Sequence, residues 1–220
     1  MGTEGGSIRY LLVDLDETLY PSSSGMVAEI SHRMTRFVAA YLKVDERRAA
    51  GIRRELSRRH GTTLNGLIEE YGLADPETYL EFTHPVEVGR YLRRDPDLVR
   101  ALSSIMLPMS ILTNSPREHA IRVLEYLDIL PLFERIFDIR FNELRGKPDP
   151  EVYLKVLEEL GRQAAEVLFL DNRPDYLLSF GKIGGRILMV SDHDSEAEGI
   201  EAVPRISSIK ELPAFLASYA

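Results

Sequence analysis

Residues 8–15 are apolar except for Arg9 and Asp14. A run this short, apolar on both faces, predicts a buried strand. A Pro21-Ser-Ser-Ser-Gly25 turn follows, and the period then changes. Ile30, Met34, Phe37, Val38 and Tyr41 recur at helical spacing and predict a helix over 26–42. Asp45 is placed to cap a second helix to about His60, with Ile52 and Leu56 on its inner face. Gly61-Thr62-Thr63 breaks the pattern, and two shorter helices are expected over 64–71 and 76–82. No β-rich run lies between Tyr20 and Met109, so a helical block follows the first strand as an insertion.

From Asp95 onward strands and helices alternate. Asp95-Pro96 opens a helix to about Met106. Residues 110–115 read as a short buried strand, and Pro116 opens a helix over 117–127. A weaker strand is expected over 136–141, and Asp149-Pro150 opens a helix to about Leu160. Strands follow over 167–170, ending on Asp171, and over 186–190. This alternation predicts an α/β fold, a doubly wound, Rossmann-like parallel sheet with helices on both faces. The expected division is a core of residues 1–20 and 90–220 and a helical cap of 21–89.

Composition narrows the classes. With 27 basic and 35 acidic residues the chain carries a net charge of −8, which argues against a nucleic-acid scaffold or a binder of anionic membranes. There is no cysteine, so disulfides, thiolate zinc sites and cysteine nucleophiles are excluded. The longest bilayer-spanning candidate, 105–112, is short and broken by Pro108. The polar amino end, 1–7, has no signal-peptide core, and a cytoplasmic protein is expected. Arg47, Arg48, Arg53, Arg54, Arg58 and Arg59 are read as a solvated helix face.

Candidate chemistry collects at four strand ends. Asp14 and Asp16, two apart, point the same way on a strand and can converge on one ligand at its carboxyl end. Thr113 and Asn114 precede a helix amino terminus, where amides and the dipole favour an anion. Lys147 is fixed between Gly146 and Pro148, and Asp171-Asn172-Arg173-Pro174-Asp175 follows a later strand. Each has an ordinary reading: surface acids, helix caps, a solvated lysine. As a set they suit a phosphate ester held by a magnesium ion, which takes oxygen ligands and keeps phosphate and water in its shell. With no cysteine, the obvious covalent nucleophile is a carboxylate.

These motifs, in this order, resemble the haloacid dehalogenase superfamily of aspartate-nucleophile phosphatases, over about residues 8–212. The helical block resembles that family's first-type (C1) cap. DLDETLYP at 14–21, GTTLNGL at 61–67, EFTH at 81–84 and TNSPREHAI at 113–121 resemble the pyrimidine 5′-nucleotidase branch.

The resemblance implies that Asp14 attacks phosphorus and that Asp16 protonates the leaving oxygen and then activates water. It implies that Lys147 favours the ionised nucleophile, and that Thr113 and Asn114 hold the phosphoryl oxygens. Magnesium falls to Asp14, the backbone carbonyl of Asp16 and the Asp171 region. Thr63, Asn65 and His84 of the cap are the candidates for reading a pyrimidine. One departure stands out: the branch has two adjacent acids after the fourth strand, and here the second is Asn172, with Tyr176 where an asparagine is usual. Asn172 can ligate through its carbonyl oxygen, or Asp171 and Asp175 can serve in a shifted register.

The implied partner is a small phosphorylated metabolite, a nucleotide before others, and the expected state is a monomer or homodimer. Rivals are a phosphatase or phosphomutase on a sugar phosphate or phosphoglycolate, and a non-catalytic binder of a phosphorylated ligand. A dehalogenase gives Asp16 no task.

Overall fold

The computed structural model describes residues 7–191, 200 and 202–218; most of the polar amino end, residues 1–6, lies outside them. Among the described residues, six parallel strands form one sheet in the order β3-β2-β1-β4-β5-β6. They are β1 (Tyr10–Val13), β2 (Met109–Leu112), β3 (Arg135–Phe137), β4 (Val167–Asp171), β5 (Arg186–Val190) and β6 (Arg205–Ile206). The order runs outward from β1 in both directions, so the chain switches direction at β1, the crevice where open α/β sheets take ligands.

Side chains alternate across the sheet as strand geometry requires. Leu11, Val13, Ile111, Leu168, Leu170 and Leu188 face one side. There they meet α5 (Pro96–Ser103), α6 (Arg117–Tyr126) and α9 (Leu212–Ser218). Tyr10, Leu12, Leu112, Phe137, Phe169 and Met189 face the other, under α7 (Pro150–Leu160) and α8 (Pro174–Lys182). This is the doubly wound α/β fold expected from the alternation. The backbone ladder runs one step past two strands: Asp14 N donates to Leu170 O at 2.9 Å and Thr113 N to Phe137 O at 3.0 Å. Both residues are thereby fixed at the sheet's carboxyl edge.

The weak strand is shorter than expected. It ends at Phe137 because Asp138 turns the chain, its carboxylate accepting from Phe141 N and Arg117 N, each at 3.0 Å. Strand β6 is two residues long and helix α9 seven, too short for either to show a period, and α8 is hidden behind the polar run that opens it.

The insertion comprises α1 (Met26–Leu42), α2 (Glu46–His60), α3 (Thr63–Tyr71) and α4 (Pro76–Thr83). Asp45, Thr62 and Asp75 cap the last three through backbone N–H groups. The helices bury a cluster of their own around Val38, Leu56, Leu64, Leu67, Tyr79 and Leu80. Among the described residues, no helix is long and apolar enough to cross a membrane.

Close packing of α2 on α3 rests on Gly66, where an added Cβ would lie 2.7 Å from Leu56 Cβ. Replacing a helical glycine gains about 1 kcal/mol in propensity, but overpacking costs about 1–3 kcal/mol. Gly66→Ala should therefore lower the urea midpoint. Gly51→Ala in α2, where a new Cβ meets nothing within 4 Å, should raise it. Equal shifts in the two variants would refute this account of the α2–α3 contact.

Candidate active site

Adjacent ends of β1 and β4 bring Asp14 and Asp171 together, and the loop before α7 delivers Lys147 between them. The Lys147 side chain is fully buried. Its ammonium donates to Asp14 Oδ1 at 2.6 Å, Asp171 Oδ2 at 2.7 Å and Leu112 O at 3.0 Å, which uses all three protons. Burial alone would lower the lysine pKa, but the two acids outweigh it and raise it. The acids are pushed up. Burial raises Asp14, the Asp171 charge adds to it, and Lys147 opposes both. Burial also raises Asp171, against Lys147 and a hydrogen bond from Arg173 N. Two carboxylates thus share one cation, leaving surplus negative charge in a dry site.

Asp16 is treated differently. Its Oδ2 accepts from Ser115 Oγ at 2.6 Å, and its Oδ1 accepts from Tyr20 OH and from His119 Nε2, the latter at 3.1 Å. Burial raises its pKa, yet the His119 charge and these three donors override burial and hold it below the ordinary carboxylate range. His119 is wholly buried, and its Nδ1 has no hydrogen-bond partner among the described residues. Sequence reasoning named neither Ser115 nor His119 as a functional candidate. The clue available was their place on the first turn after Thr113, the stretch that meets β1 across the sheet edge.

Thr113 is buried and accepts from Ser115 N at 3.0 Å. With Arg117 N held by Asp138, the amino terminus of α6 is already partly capped, so fewer of its amides are free for an anion than the sequence suggested. Asn114 corrects another expectation. Its Oδ1 accepts from Lys147 N at 2.8 Å, and its Nδ2 donates to Lys147 O at 3.0 Å and Tyr176 OH at 3.1 Å. The Asn114 amide clamps the Lys147 loop rather than pointing an open donor at substrate.

A cavity of about 890 Å³ lies between the helical insertion and this edge, lined by Arg53, Thr63, Tyr79, His84, Asn114, Arg173 and Tyr176 among others. Thr63 and His84 therefore both line this cavity. Asn65 does not: its Nδ2 donates back to His60 O at 3.3 Å, and its side chain finishes a helix end. Five of the six arginines of α2 are exposed as expected, but Arg53 is not. Its Nη1 donates to Ser31 O at 2.5 Å and to Thr35 Oγ1 at 2.7 Å, pinning α2 to α1 beside the cavity.

Among the described residues, no three acidic or imidazole side chains converge to make a metal site by themselves. Magnesium does not require that, since it keeps water and substrate oxygens. The carboxylates of Asp14 and Asp171, which share one ammonium between them, fit such an ion. Asp175 is engaged elsewhere: it pairs with Arg173 through two contacts, at 3.1 and 2.7 Å. Asn172 Nδ2 donates to Glu17 Oε2 at 3.1 Å.

A profile of haloacid dehalogenase-like hydrolases matches residues 8–203. Phosphate metabolism protein 8 of Saccharomyces cerevisiae is 25% identical over 206 residues, covering 85% of this chain and 63% of that protein. Validoxylamine A 7′-phosphate phosphatase of Streptomyces hygroscopicus subsp. limoneus is 26% identical over 102 residues, 46% of this chain and 47% of that one. The chain thus spans less than two thirds of either relative. Among solved structures, the L-2-haloacid dehalogenase of Xanthobacter autotrophicus, with chloropropionic acid covalently bound, aligns with a TM-score of 0.64. It is 17% identical and covers 97% of this chain and 100% of that one, a likeness of fold.

His84 supplies a pH test. Burial, aided by the neighbouring His119, lowers it to about 3; the two rings lie 5.0 Å apart. Its stabilising share is complete above the unfolded value, about 6.5, and is lost as pH falls toward the folded value, because the unfolded chain binds a proton that folded His84 refuses. Between pH 7 and 5 that loss is about 2 kcal/mol. His84→Gln should show a urea-stability profile flatter than wild type by roughly that amount. Parallel profiles would mean that His84 is charged in the folded protein.

Proposed function

The chain belongs to the haloacid dehalogenase-like hydrolase family, and from that premise we propose that it is a magnesium-dependent phosphomonoesterase acting on pyrimidine nucleoside 5′-monophosphates. The observation that carries the proposal is the Asp14–Lys147–Asp171 cluster at the sheet's switch point, with Asp16 clamped beside it. The phosphatase names among the relatives support the same chemistry.

In the proposed reaction an Asp14 oxygen attacks phosphorus, the ester P–O bond breaks, and the leaving oxygen takes a proton from Asp16. Water then attacks the aspartyl-phosphate, gives its proton to Asp16, and releases phosphate with Asp14 restored. Lys147 holds Asp14 in place and favours its ionised form. The donors around Asp16 suit the second half, in which it must be a base. They oppose the first half, in which it must carry a proton. Ser115 and Tyr20 can resolve this, because a hydroxyl can turn and accept. Asp14, the Asp16 carbonyl, Asp171 and Asn172 would hold magnesium, which when bound supplies charge neutralisation for the transferring phosphoryl oxygens. The working partner is a small phosphorylated metabolite met in the cytoplasm.

Choice of leaving group falls to the cavity, since phosphate contacts are the same for every ester. Thr63 and His84 line it with polar atoms, and the GTTLNGL and EFTH stretches that supply them are among those that resemble the pyrimidine branch.

The test is a hydrolysis screen over nucleotides and sugar phosphates, with and without chelator. Asp14→Asn should lose at least about 10³-fold in kcat, since the attacking oxygen is gone. Chelation should abolish turnover and magnesium restore it. Full activity in Asp14→Asn, or indifference to chelator, would defeat the mechanism.

Specificity is tested separately. UMP and CMP should exceed AMP and GMP by about 10-fold or more in kcat/KM, because a site that hydrogen-bonds one base edge is left unpaired by the other. Thr63→Ala should erode that ratio, whereas Asn65→Ala, tied back to His60 O, should leave it intact. A preference for a sugar phosphate would retain the chemistry and discard the nucleotide.

A further inference from the structure

Three residues compete to complete the cation site after β4. Asp171 has one oxygen on Lys147 and the other on Arg173 N. Asp175 is engaged by the Arg173 guanidinium and points to the surface. Asn172 is the one with an uncommitted oxygen: its Nδ2 donates to Glu17, and its Oδ1 accepts no hydrogen bond among the described residues. Glu17 reaches it from the turn after β1, where its backbone holds φ 61°, a left-handed conformation uncommon for a residue with a side chain. That turn places Glu17 between Asp16 and Thr18 and aims it across to the neighbouring strand end.

We propose that Glu17 is a positioning residue for the cation site: by holding the Asn172 amide nitrogen it turns the amide's carbonyl oxygen toward magnesium. The proposal rests on the magnesium reading above. An amide has one acceptor end and one donor end, and only the acceptor can ligate a cation. Left to rotate, Asn172 would offer an NH₂ group as readily as an oxygen. A carboxylate has two equivalent oxygens and needs no such guide. An acid at 172 would instead face Glu17 across about the 3.1 Å of the present hydrogen bond and be repelled by it. Glu17 and Asn172 therefore form one unit, in which the acid absent from position 172 is replaced by an amide with an anionic anchor. Outer partners that orient a metal ligand are typically worth about 10–100-fold in affinity.

The experiment is calorimetric titration of magnesium chloride into substrate-free protein, with circular dichroism melts confirming that each variant is folded. Glu17→Ala should weaken binding by about 10-fold or more. Glu17→Gln should stay within about 3-fold of wild type, because its side-chain carbonyl still accepts from Asn172. Glu17→Ala combined with Asn172→Asp should recover wild-type affinity, since the carboxylate needs no anchor and no longer meets a like charge. Unchanged binding in Glu17→Ala would overturn the proposal and leave the magnesium reading standing. Loss in Glu17→Gln equal to that in Glu17→Ala, with no recovery in the double variant, would also overturn it and make Glu17 itself a ligand. Absence of binding by the wild type would remove both the proposal and the magnesium reading.

Discussion

One buried ammonium organises this edge of the molecule. Lys147 neutralises part of the charge that β1 and β4 bring together, and it can do so only if its loop is delivered to a fixed point. Removing one partner from a buried ion cluster typically costs about 3–5 kcal/mol, so the loop's placement is a folding constraint as well as, in the proposed chemistry, a catalytic one. Asn114 meets the constraint by bonding the Lys147 backbone at both N–H and C=O. Gly146 permits it, because a Cβ there would collide with Thr62 Cγ2 and lie 2.9 Å from Asn114 Nδ2. The helical insertion, the end of β2 and the lysine loop therefore meet at one glycine. The insertion's docking and the lysine's aim are set by the same contact.

The sheet and most helices were legible because their signals are local: apolar runs for strands, spacing for helices, Asp-Pro pairs for starts. The candidate acids and Lys147 were legible because strand ends can be placed from those runs. What sequence could not show was which polar atoms would be consumed by other protein atoms. Asn114 and Asn65 look like open amides in a sequence, yet one clamps a loop and the other closes a helix end. Ser115 and His119 look like an ordinary cap and a helix-surface imidazole, yet both reach Asp16 from about a hundred positions away in the chain. Arg53 belongs to a run of arginines that is otherwise solvated, and only the packing of α2 against α1 separates it from them.

The paired carboxylates of the first strand acquire different tasks from different surroundings. Asp14 is buried beside another acid, and both raise its proton affinity against the pull of the one shared lysine. Asp16 sits among three donors, which lowers its own. In the proposed chemistry both conditions need a second component. A cation makes Asp14 the better nucleophile, and a hydroxyl that reverses its hydrogen bond lets Asp16 hold a proton. The protein alone thus supplies an edge that is poised but electrostatically incomplete.

Charge on the facing wall completes the argument. The chain as a whole carries a net −8, yet the cavity beside the cluster is lined by Arg53, Arg54, Arg58 and Arg173, against Asp175 as the acid among its lining residues. An acidic protein repels a phosphate ester at long range, while this wall attracts it within a Debye length of about 8 Å at physiological salt. Two of the arginines are already paired, Arg58 with Glu55 and Arg173 with Asp175, which leaves Arg53 and Arg54 to carry most of the local field. Arg53 is the fixed one, held by Ser31 and Thr35 of α1. Field and acids therefore sit on opposite sides of one cavity, one on the insertion and one on the sheet. In the proposed chemistry a ligand that bridges them would place its phosphate at the sheet, beside Asp14 and the magnesium that it would share with Asp171, and the group it leaves behind in the space under α2.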